Sequence, residues 1–325
     1  MPRMGVHLIT GGAGFIGSHL AEALLSQGRR VRVLDDFSTG RAGNLGPPPG
    51  SAGLEIRSGT VCDADAVRSA MEGVEVAYHL AAMASVPRSV ADPVGCHRVN
   101  VDGTLNVLLA ARDAGVRRVV FSGSSSAYGD DPAPLKHEDL PTRPISPYAA
   151  AKLAGEHYCR AFSAVYGLDT VVLRYFNVFG PRQDPAGPYA AAVPVFLTAM
   201  LAGRAPVVFG DGGQSRDFTY VDNVVSANRL AADAPGPFAG EAFNVAAGGA
   251  VTLLEVIDRL NALLGTAIRP EHRPARAGDI RHSAADITRA GERLGYRPGI
   301  GFAEGLARTV DWFRRNAAGS SGDSR

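Results

Sequence analysis

The run Gly5-Val-His-Leu-Ile-Thr10, continuing into Gly11-Gly-Ala-Gly-Phe-Ile-Gly17, governs how everything after it is arranged. Its apolar first half predicts a short buried strand. The glycines then open a helical pattern from Ser18 to Gln27, which Gly28 caps. Glycines at 11, 14 and 17 let the turn tighten, the backbone approach a pyrophosphate and the helix pack on the strand, with the helix N-terminus facing the anion. Because ordinary strand-to-helix turns also carry glycines, the motif takes its meaning from its neighbours.

A second strand, Arg30-Val-Arg-Val-Leu34, ends at Asp35-Asp36, about as far from the loop as a dinucleotide-binding unit places its acid. A carboxylate there accepts hydrogen bonds from the adenosine ribose and repels a 2'-phosphate. This predicts NAD as the cofactor, although Thr39-Gly-Arg41 leaves some room for NADP.

The alternation continues with a strand over Leu54 to Ser58, a helix over 63 to 71, a strand over Val74 to Leu80, a helical stretch from Gly95 to Ala114 and a strand over Arg117 to Phe121. Strands alternating with helices imply a parallel, doubly wound α/β sheet whose ligand lies at the carboxyl ends of its strands. At one such end His79-Leu-Ala-Ala82 lets backbone lie close to a cofactor. At the next, Ser122-Gly-Ser-Ser-Ser-Ala-Tyr-Gly129 either offers hydroxyls to a substrate oxygen or forms a simple turn. His79 has no second metal-ligand residue at a suitable spacing, so it is expected to be a packed core histidine, and no metal is expected.

The second half is less regular, as suits a smaller substrate-binding domain. Residues 181 to 194 predict a loop, Val193 to Gly203 a helix, Val207 to Phe209 a strand, Val221 to Ala232 a helix and Glu241 to Ala246 a strand returning to the main sheet. Leu253 to Leu264 and Phe302 to Arg315 are amphipathic helices. The expected division is a dinucleotide-binding domain over 1–176, rejoined by about 220–248, a substrate-binding domain over 177–316 and a disordered polar tail over 317–325.

A chain of 325 residues with net charge +1 and dispersed Lys and Arg offers no nucleic-acid or membrane surface. Cys62, Cys96 and Cys159 are odd in number and lack zinc or CxxC spacing, which fits reduced thiols. The chain enters a strand-like run at once and has no apolar segment long enough to span a bilayer, so the cytoplasm is the expected location.

Ser146-Pro-Tyr-Ala-Ala-Ala-Lys152 carries the chemistry. Ser146 suits a helix N-cap and Pro147 the first helical position, so Tyr148 and Lys152 lie one turn apart on one face. A phenol of pKa about 10 is only about one part in a thousand ionised at pH 7. Lowering its pKa by roughly three units takes about 4 kcal/mol, and a cation about 5 Å away supplies roughly 3. The expectation is that Lys152 depresses Tyr148. A surface helix with an incidental Tyr and Lys has the same spacing, so the residues around it have to decide.

With Thr10-Gly-Gly-Ala-Gly-Phe-Ile-Gly17, Asp35, Asn100, Ser124, Tyr148, Lys152, Leu173-Arg-Tyr-Phe-Asn-Val-Phe-Gly180, Gly210-Asp-Gly-Gly-Gln-Ser-Arg-Asp-Phe218 and Arg276-Ala-Gly-Asp279, nearly the whole chain resembles the extended short-chain dehydrogenase/reductases, and within them the UDP-hexose 4-epimerases. The resemblance implies a Rossmann-like doubly wound sheet with a smaller C-terminal α/β substrate-binding domain, NAD as cofactor and a UDP-sugar as substrate. It also implies a homodimer packed through the helix around Val99 to Ala114 and the Tyr148 helix.

Residue by residue, the resemblance implies that Ser124 is the catalytic hydroxyl, Tyr148 the base and Lys152 the residue that holds the nicotinamide ribose. NAD contacts fall on Gly11, Gly14, Phe15, Ile16 and Gly17, then on Asp35, Asp36, Phe37, Ser38, Thr39 and Gly40. Farther on they fall on Thr60 and Val61, Leu80, Ala81 and Ala82, Asn100, Ser122 and Tyr175. The nucleotide sugar is implied to meet Ser85, Ser125, Ser126, Phe176, Asn177, Val193, Val208 and Phe209, with Arg216, Arg276 and Asp279 on its diphosphate and uridine and Ser283 near the sugar.

The reaction implied is transient oxidation at C4, rotation of the 4-keto sugar about its diphosphate link and return of the hydride from the other side. Related dehydratases and decarboxylases carry an acid before the Tyr-Gly pair, where this chain has Ser125, Ser126 and Ala127, so simple epimerisation is expected. Two departures stand out: Thr60 occupies a position that many relatives give to Asp, and Ala84 replaces a lysine of some UDP-galactose epimerases. Ser283 matches a position that is a bulky tyrosine in epimerases restricted to non-acetylated sugars, which implies that N-acetylated UDP-hexoses are accepted. A UDP-glucuronate 4-epimerase, a dehydratase, decarboxylase or net oxidoreductase of the same family, and a non-catalytic nucleotide-sugar sensor remain as alternatives.

Overall fold

In this computed structural model, residues 5–46, 53–185, 191–275 and 281–319 are described. Val6–Thr10 forms β1 and is buried along its whole length; Phe15–Ser26 forms α1 and Arg30–Asp35 forms β2. A 3-10 turn over Ala42–Leu45 precedes β3 (Leu54–Ser58), α2 (Ala64–Met71) and β4 (Val74–His79). The predicted single helix from Gly95 to Ala114 is composite. Val86–Ala91 (α3) and Pro93–His97 (α4) are short, Arg98–Asp102 is a π turn, and Gly103–Asp113 is α5.

The fifth strand, β5 (Arg118–Ser124), runs three residues beyond its expected end at Phe121 and carries Ser122 and Ser124 on the strand itself. A 3-10 turn, Ser125–Tyr128, follows. Then comes α6 (Pro147–Tyr166), whose N-cap Ser146 accepts the Ala149 N–H at 3.2 Å and which ends on left-handed Gly167. β6 (Thr170–Tyr175) completes the first half.

The remaining elements are short: β7 (Val178–Phe179), α7 (Ala192–Leu201), β8 (Val207–Phe209), β9 (Ser215–Arg216), β10 (Thr219–Tyr220), α8 (Val221–Asp233), β11 (Glu241–Val245), β12 (Val251–Thr252), α9 (Leu253–Leu264), β13 (Glu271–Arg273), β14 (His282–Ser283), α10 (Thr288–Leu294) and α11 (Phe302–Gly319). The two-residue strands escape sequence periodicity because alternation needs more residues to register. α11 extends three residues into the stretch expected to be a tail; 320–325 lie outside the described residues.

Seven strands form one parallel sheet in the order β11-β6-β5-β4-β1-β2-β3. One face is covered by Leu20, Ala21 and Leu24 of α1 with Val224, Ala227 and Ala231 of α8. The other is covered by Val67 and Met71 of α2, Val107 and Leu108 of α5, and Cys159 and Phe162 of α6. The sheet is therefore doubly wound; β1 and β6 are buried along their whole length, whereas the edge strand β3 carries Glu55 and Arg57 and is half-exposed. A separate core gathers Phe196 and Leu197 of α7, Val256 and Leu260 of α9, and Leu306 and Val310 of α11.

Candidate active site

The glycine loop leaves no room for side chains. Gly11 has φ +71°, and a Cβ there would lie 2.7 Å from the Ala81 nitrogen; at Gly17 it would lie 2.3 Å from the Gly11 carbonyl oxygen. Gly14 is the N-cap of α1 and supplies no capping side chain, so the first amides of the helix face outward as donors. Asp35 at the end of β2 is buried, and its carboxylate accepts Ala13 N–H and Phe37 N–H, both at 2.8 Å. Asp36 accepts Ser38 N–H at 2.9 Å, Phe37 adopts φ +57°, and Gly40 lies where a Cβ would sit 3.0 Å from Asp35 Oδ1, with Thr39 on the same bend. Phe15 and Ile16 pack against the smaller core, which couples the loop to that half of the molecule.

The neighbouring strand ends complete the cradle. Leu80 N–H donates to Thr10 O at 3.1 Å, Ala81 N–H donates to Thr10 Oγ1 at 3.3 Å, and Ala82 is half-buried beside them. Thr60 accepts Cys62 N–H at 3.3 Å, and the carbonyl of buried Val61 accepts from Asn106. Asn100, inside the π turn, clamps Met83 by accepting its N–H at 2.7 Å and donating to its carbonyl at 3.3 Å. His79 is bonded to Thr10 at 2.7 Å and to Thr104 at 2.9 Å, and burial lowers its pKa to about 3. It is a neutral core histidine. A cradle closed to Cβ atoms, an uncapped helix N-terminus and an acid at the end of β2 fit the pyrophosphate and ribose of NAD.

Ser124, Tyr148 and Lys152 converge at the carboxyl end of β5. Ser124 Oγ accepts from Ser126 N–H at 3.2 Å and from the Ser126 hydroxyl at 2.8 Å, with Ser125 half-buried beside them. Tyr148 is half-buried in the first turn of α6, where its N–H donates to Ser89 at 3.0 Å. Lys152 Nζ donates to the Ser122 carbonyl at 2.8 Å and to its hydroxyl at 3.2 Å, and lies 5.1 Å from the centre of the Phe121 ring.

Burial is the largest influence on both groups of the pair. Burial raises the Tyr148 phenol above its ordinary pKa of 10.0, a hydrogen bond with Ser124 opposes the rise, and the Cys96 thiol adds to it. Burial also lowers Lys152 to about 8, against the opposing charge of Glu156. Burial therefore disfavours the charged form of each group on this helix face.

On the substrate side, Asn177 sits at φ +32° and donates to Asp217 O at 3.3 Å. Parallel pairing of β14 with β9 places Ser283 opposite Arg216, whose Nη1 donates to Ser215 O at 2.9 Å. Phe209 is half-buried on β8, and Ser85 caps α3 by accepting Arg88 N–H at 3.3 Å. Arg276 and Asp279 lie outside the described residues. Phe176, Val193 and Val208 are core side chains: Phe176 packs beside Tyr128, and the two valines lie inside the smaller core, so they build walls and present no free face. The Tyr175 hydroxyl bonds Asn228 of α8, donating to Oδ1 at 3.0 Å, so its polar end is committed within the fold.

A family model described as the NAD dependent epimerase/dehydratase family matches residues 7–246. The chain belongs to this family. It is 45% identical, over 95% of its length and 99% of the relative's, to a UDP-glucose 4-epimerase of Mycolicibacterium smegmatis. It is similar in structure to a UDP-N-acetylglucosamine 4-epimerase of Methanobrevibacter ruminantium solved with UDP-N-acetylmuramic acid, at TM-score 0.91 and 40% identity over 96% of this chain and 99% of that one. A Thermus thermophilus UDP-glucose 4-epimerase in complex with NAD aligns at TM-score 0.85 and 39% identity over 95% of this chain and 99% of that one.

Three charged residues of this epimerase/dehydratase chain have structural work that sequence reasoning did not assign. Asp217 is fully buried, accepts Ala247 N–H at 2.9 Å and Gly248 N–H at 3.1 Å, and is raised by burial to about 6. Glu156 and Arg174 form a buried ion pair at 2.7 Å. A signal existed for both: Arg174 interrupts an apolar strand, and Glu156 follows Lys152 by one helical turn.

Proposed function

We propose that the chain is an NAD-dependent epimerase that inverts C4 of a UDP-hexose through a transient 4-keto sugar. The observation that carries this reading is the convergence of Ser124, Tyr148 and Lys152 beside the glycine cradle, with Ser125, Ser126 and Ala127 supplying no carboxylate for elimination. NAD, when bound, supplies the reversible acceptance of a hydride. Tyr148 takes the proton of the sugar 4-hydroxyl and later returns it, and Ser124 holds the same oxygen. Lys152, anchored on Ser122, holds the ribose and contributes positive charge. Asn177 and Arg216, together with Arg276 and Asp279, grip the diphosphate and uridine of the nucleotide while the sugar turns.

Ser283, in register opposite Arg216, is a small residue at the position where the resemblance expects a bulky tyrosine in epimerases restricted to non-acetylated sugars, so UDP-GlcNAc/UDP-GalNAc is accepted beside UDP-Glc/UDP-Gal. The enzyme acts in the cytoplasm as a homodimer through α5 and α6. Supporting the dimer, Tyr158 and Val165 of α6 are exposed apolar residues on one helix face. Val165→Glu is expected to halve the mass measured by sedimentation.

The test is incubation of the purified protein, without added cofactor, with UDP-Glc, UDP-GlcNAc and UDP-GlcA in parallel, followed by mass spectrometry and proton NMR. A product of unchanged mass with an inverted C4 signal is the expected result. Loss of water or carbon dioxide, or lasting NADH formation, overturns it.

A further inference from the structure

Beneath the three catalytic residues lies a buried charge pair. Glu156 sits on α6 one turn past Lys152, and Arg174 sits on β6; they are 6% and 5% exposed. Arg174 Nε donates to Glu156 Oε1 at 3.1 Å and to Oε2 at 3.2 Å, and Nη2 donates to Oε2 at 2.7 Å. The guanidinium also lies 4.9 Å from the centre of the Tyr128 ring, in the turn that begins at Ser124, and Tyr128 is itself pinned through its hydroxyl to Asn244 at 2.7 Å. One guanidinium thus touches the strand that leads to Asn177, the helix that carries Tyr148 and Lys152, and the turn that follows Ser124.

Gly123 has a specific part in this. It pairs in register with Arg174, between Ser122, which holds Lys152, and Ser124. A Cβ at Gly123 would lie 2.9 Å from Glu156 Oε1, 3.0 Å from Val172 Cγ1 and 3.2 Å from the Leu173 carbonyl oxygen. The carboxylate therefore occupies the space that the missing side chain leaves under the serines.

A buried ion pair is a poor device for stability alone, because desolvation cancels most of its attraction and apolar residues of similar volume do as well. Among the described residues Arg174 Nη1 is also buried without a hydrogen-bond partner, an added cost. We propose that Glu156 and Arg174 are positioning residues, which lock Lys152 and the Ser124 turn in register for proton transfer, and that position 123 is glycine to admit the Glu156 carboxylate. This rests on the epimerase reading only for its effect on turnover.

The charge effect can be read without turnover. Lys136 and Lys152 are the only lysines in the chain, so a protein labelled with 13C-lysine gives two side-chain signals, assigned with Lys136→Arg. The groups that act on Lys152 are Glu156 and Cys159 from α6, Cys96 from α4, His79 from β4, and Ser122 with Phe121 from β5, with Tyr148 one helical turn before it on α6. Among them Glu156 supplies the carboxylate that favours the ammonium.

In Glu156→Gln the titration midpoint of Lys152 is expected to fall by about one pH unit, a tenfold shift toward the amine. In Glu156→Gln/Arg174→Met the melting temperature is expected to return close to that of the parent, because no lone charge stays buried. The Lys152 midpoint stays low in that variant, and kcat stays down by about tenfold or more with KM little changed. Gly123→Ala is expected to lower kcat in the same way, and Arg174→Lys to restore part of it. An unmoved Lys152 midpoint in Glu156→Gln, or parental kcat in the double variant, overturns the inference. If the parent protein turns over no UDP-sugar, the epimerase reading falls, while the titration still decides whether Glu156 sets the charge of Lys152.

Discussion

The carboxylate of Asp35 accepts the backbone N–H of Ala13 at 2.8 Å, so the acid at the end of β2 and the glycine loop after β1 are one mechanical unit. Asn44 and the backbone N–H of Arg41 both donate to the Ala13 carbonyl, at 2.9 and 3.0 Å, which closes the other side of the same residue. In the proposed cradle, cofactor affinity therefore depends on the loop's shape as well as on direct contact.

Gly17→Ala tests that shape. Its Cβ would meet the Gly11 carbonyl oxygen at 2.3 Å and Gly12 Cα at 2.7 Å, both backbone atoms that cannot step aside. The variant is expected to lose NAD affinity by at least about tenfold, with a destabilisation of roughly 1–3 kcal/mol from the forced backbone shift. Isothermal titration with NAD and thermal melting measure both; unchanged affinity contradicts the proposed cradle.

Tyr148→Phe removes only a hydroxyl. Turnover is expected to fall by about a hundredfold or more, the usual weight of a general acid–base group, while NAD binding and melting temperature stay near parental values. Retention of full activity by NMR assay rules out the proton-transfer role.

Ser283→Tyr puts a bulky ring at the position in register with Arg216. Acetylated substrates are expected to lose roughly ten- to two-hundredfold in kcat/KM, the range a hydrophobic pocket commands by size, with UDP-Glc little affected. Equal losses on both sugars reject the pocket assignment.

His79 makes stability depend on acid. Its folded pKa of about 3 lies below the ordinary 6.5 because burial disfavours the cation. The unfolded chain then binds the extra proton, so stability falls as pH drops from about 6.5 toward 3, at about 1.4 kcal/mol per pH unit from this residue. His79→Gln is expected to lose roughly 2 kcal/mol less than the parent between pH 7 and pH 5 in urea unfolding. Identical losses would show that the proton goes elsewhere.

What the amino-acid order determined by itself was everything carried by local rules. The apolar run Val6–Thr10 specifies a buried strand, the strand that ends at Asp35 follows from its place after the loop, and Ser146-Pro147 starts α6. The Gly11 to Gly17 loop, the acid at Asp35, and Tyr148 one turn from Lys152 follow from spacing along one strand or helix. Tertiary structure decided what depends on residues far apart in the chain. Only parallel pairing of β14 with β9 brings Ser283 beside Arg216, and only the meeting of α6, β5 and β6 buries Glu156 against Arg174 under Gly123. It also decided the protonation of the site, because the Tyr148 phenol answers to burial and to Ser124, and the Lys152 ammonium to burial and to Glu156. A pKa is a property of the solvent and charge around a group, and no spacing along the chain states how much water the fold will leave there.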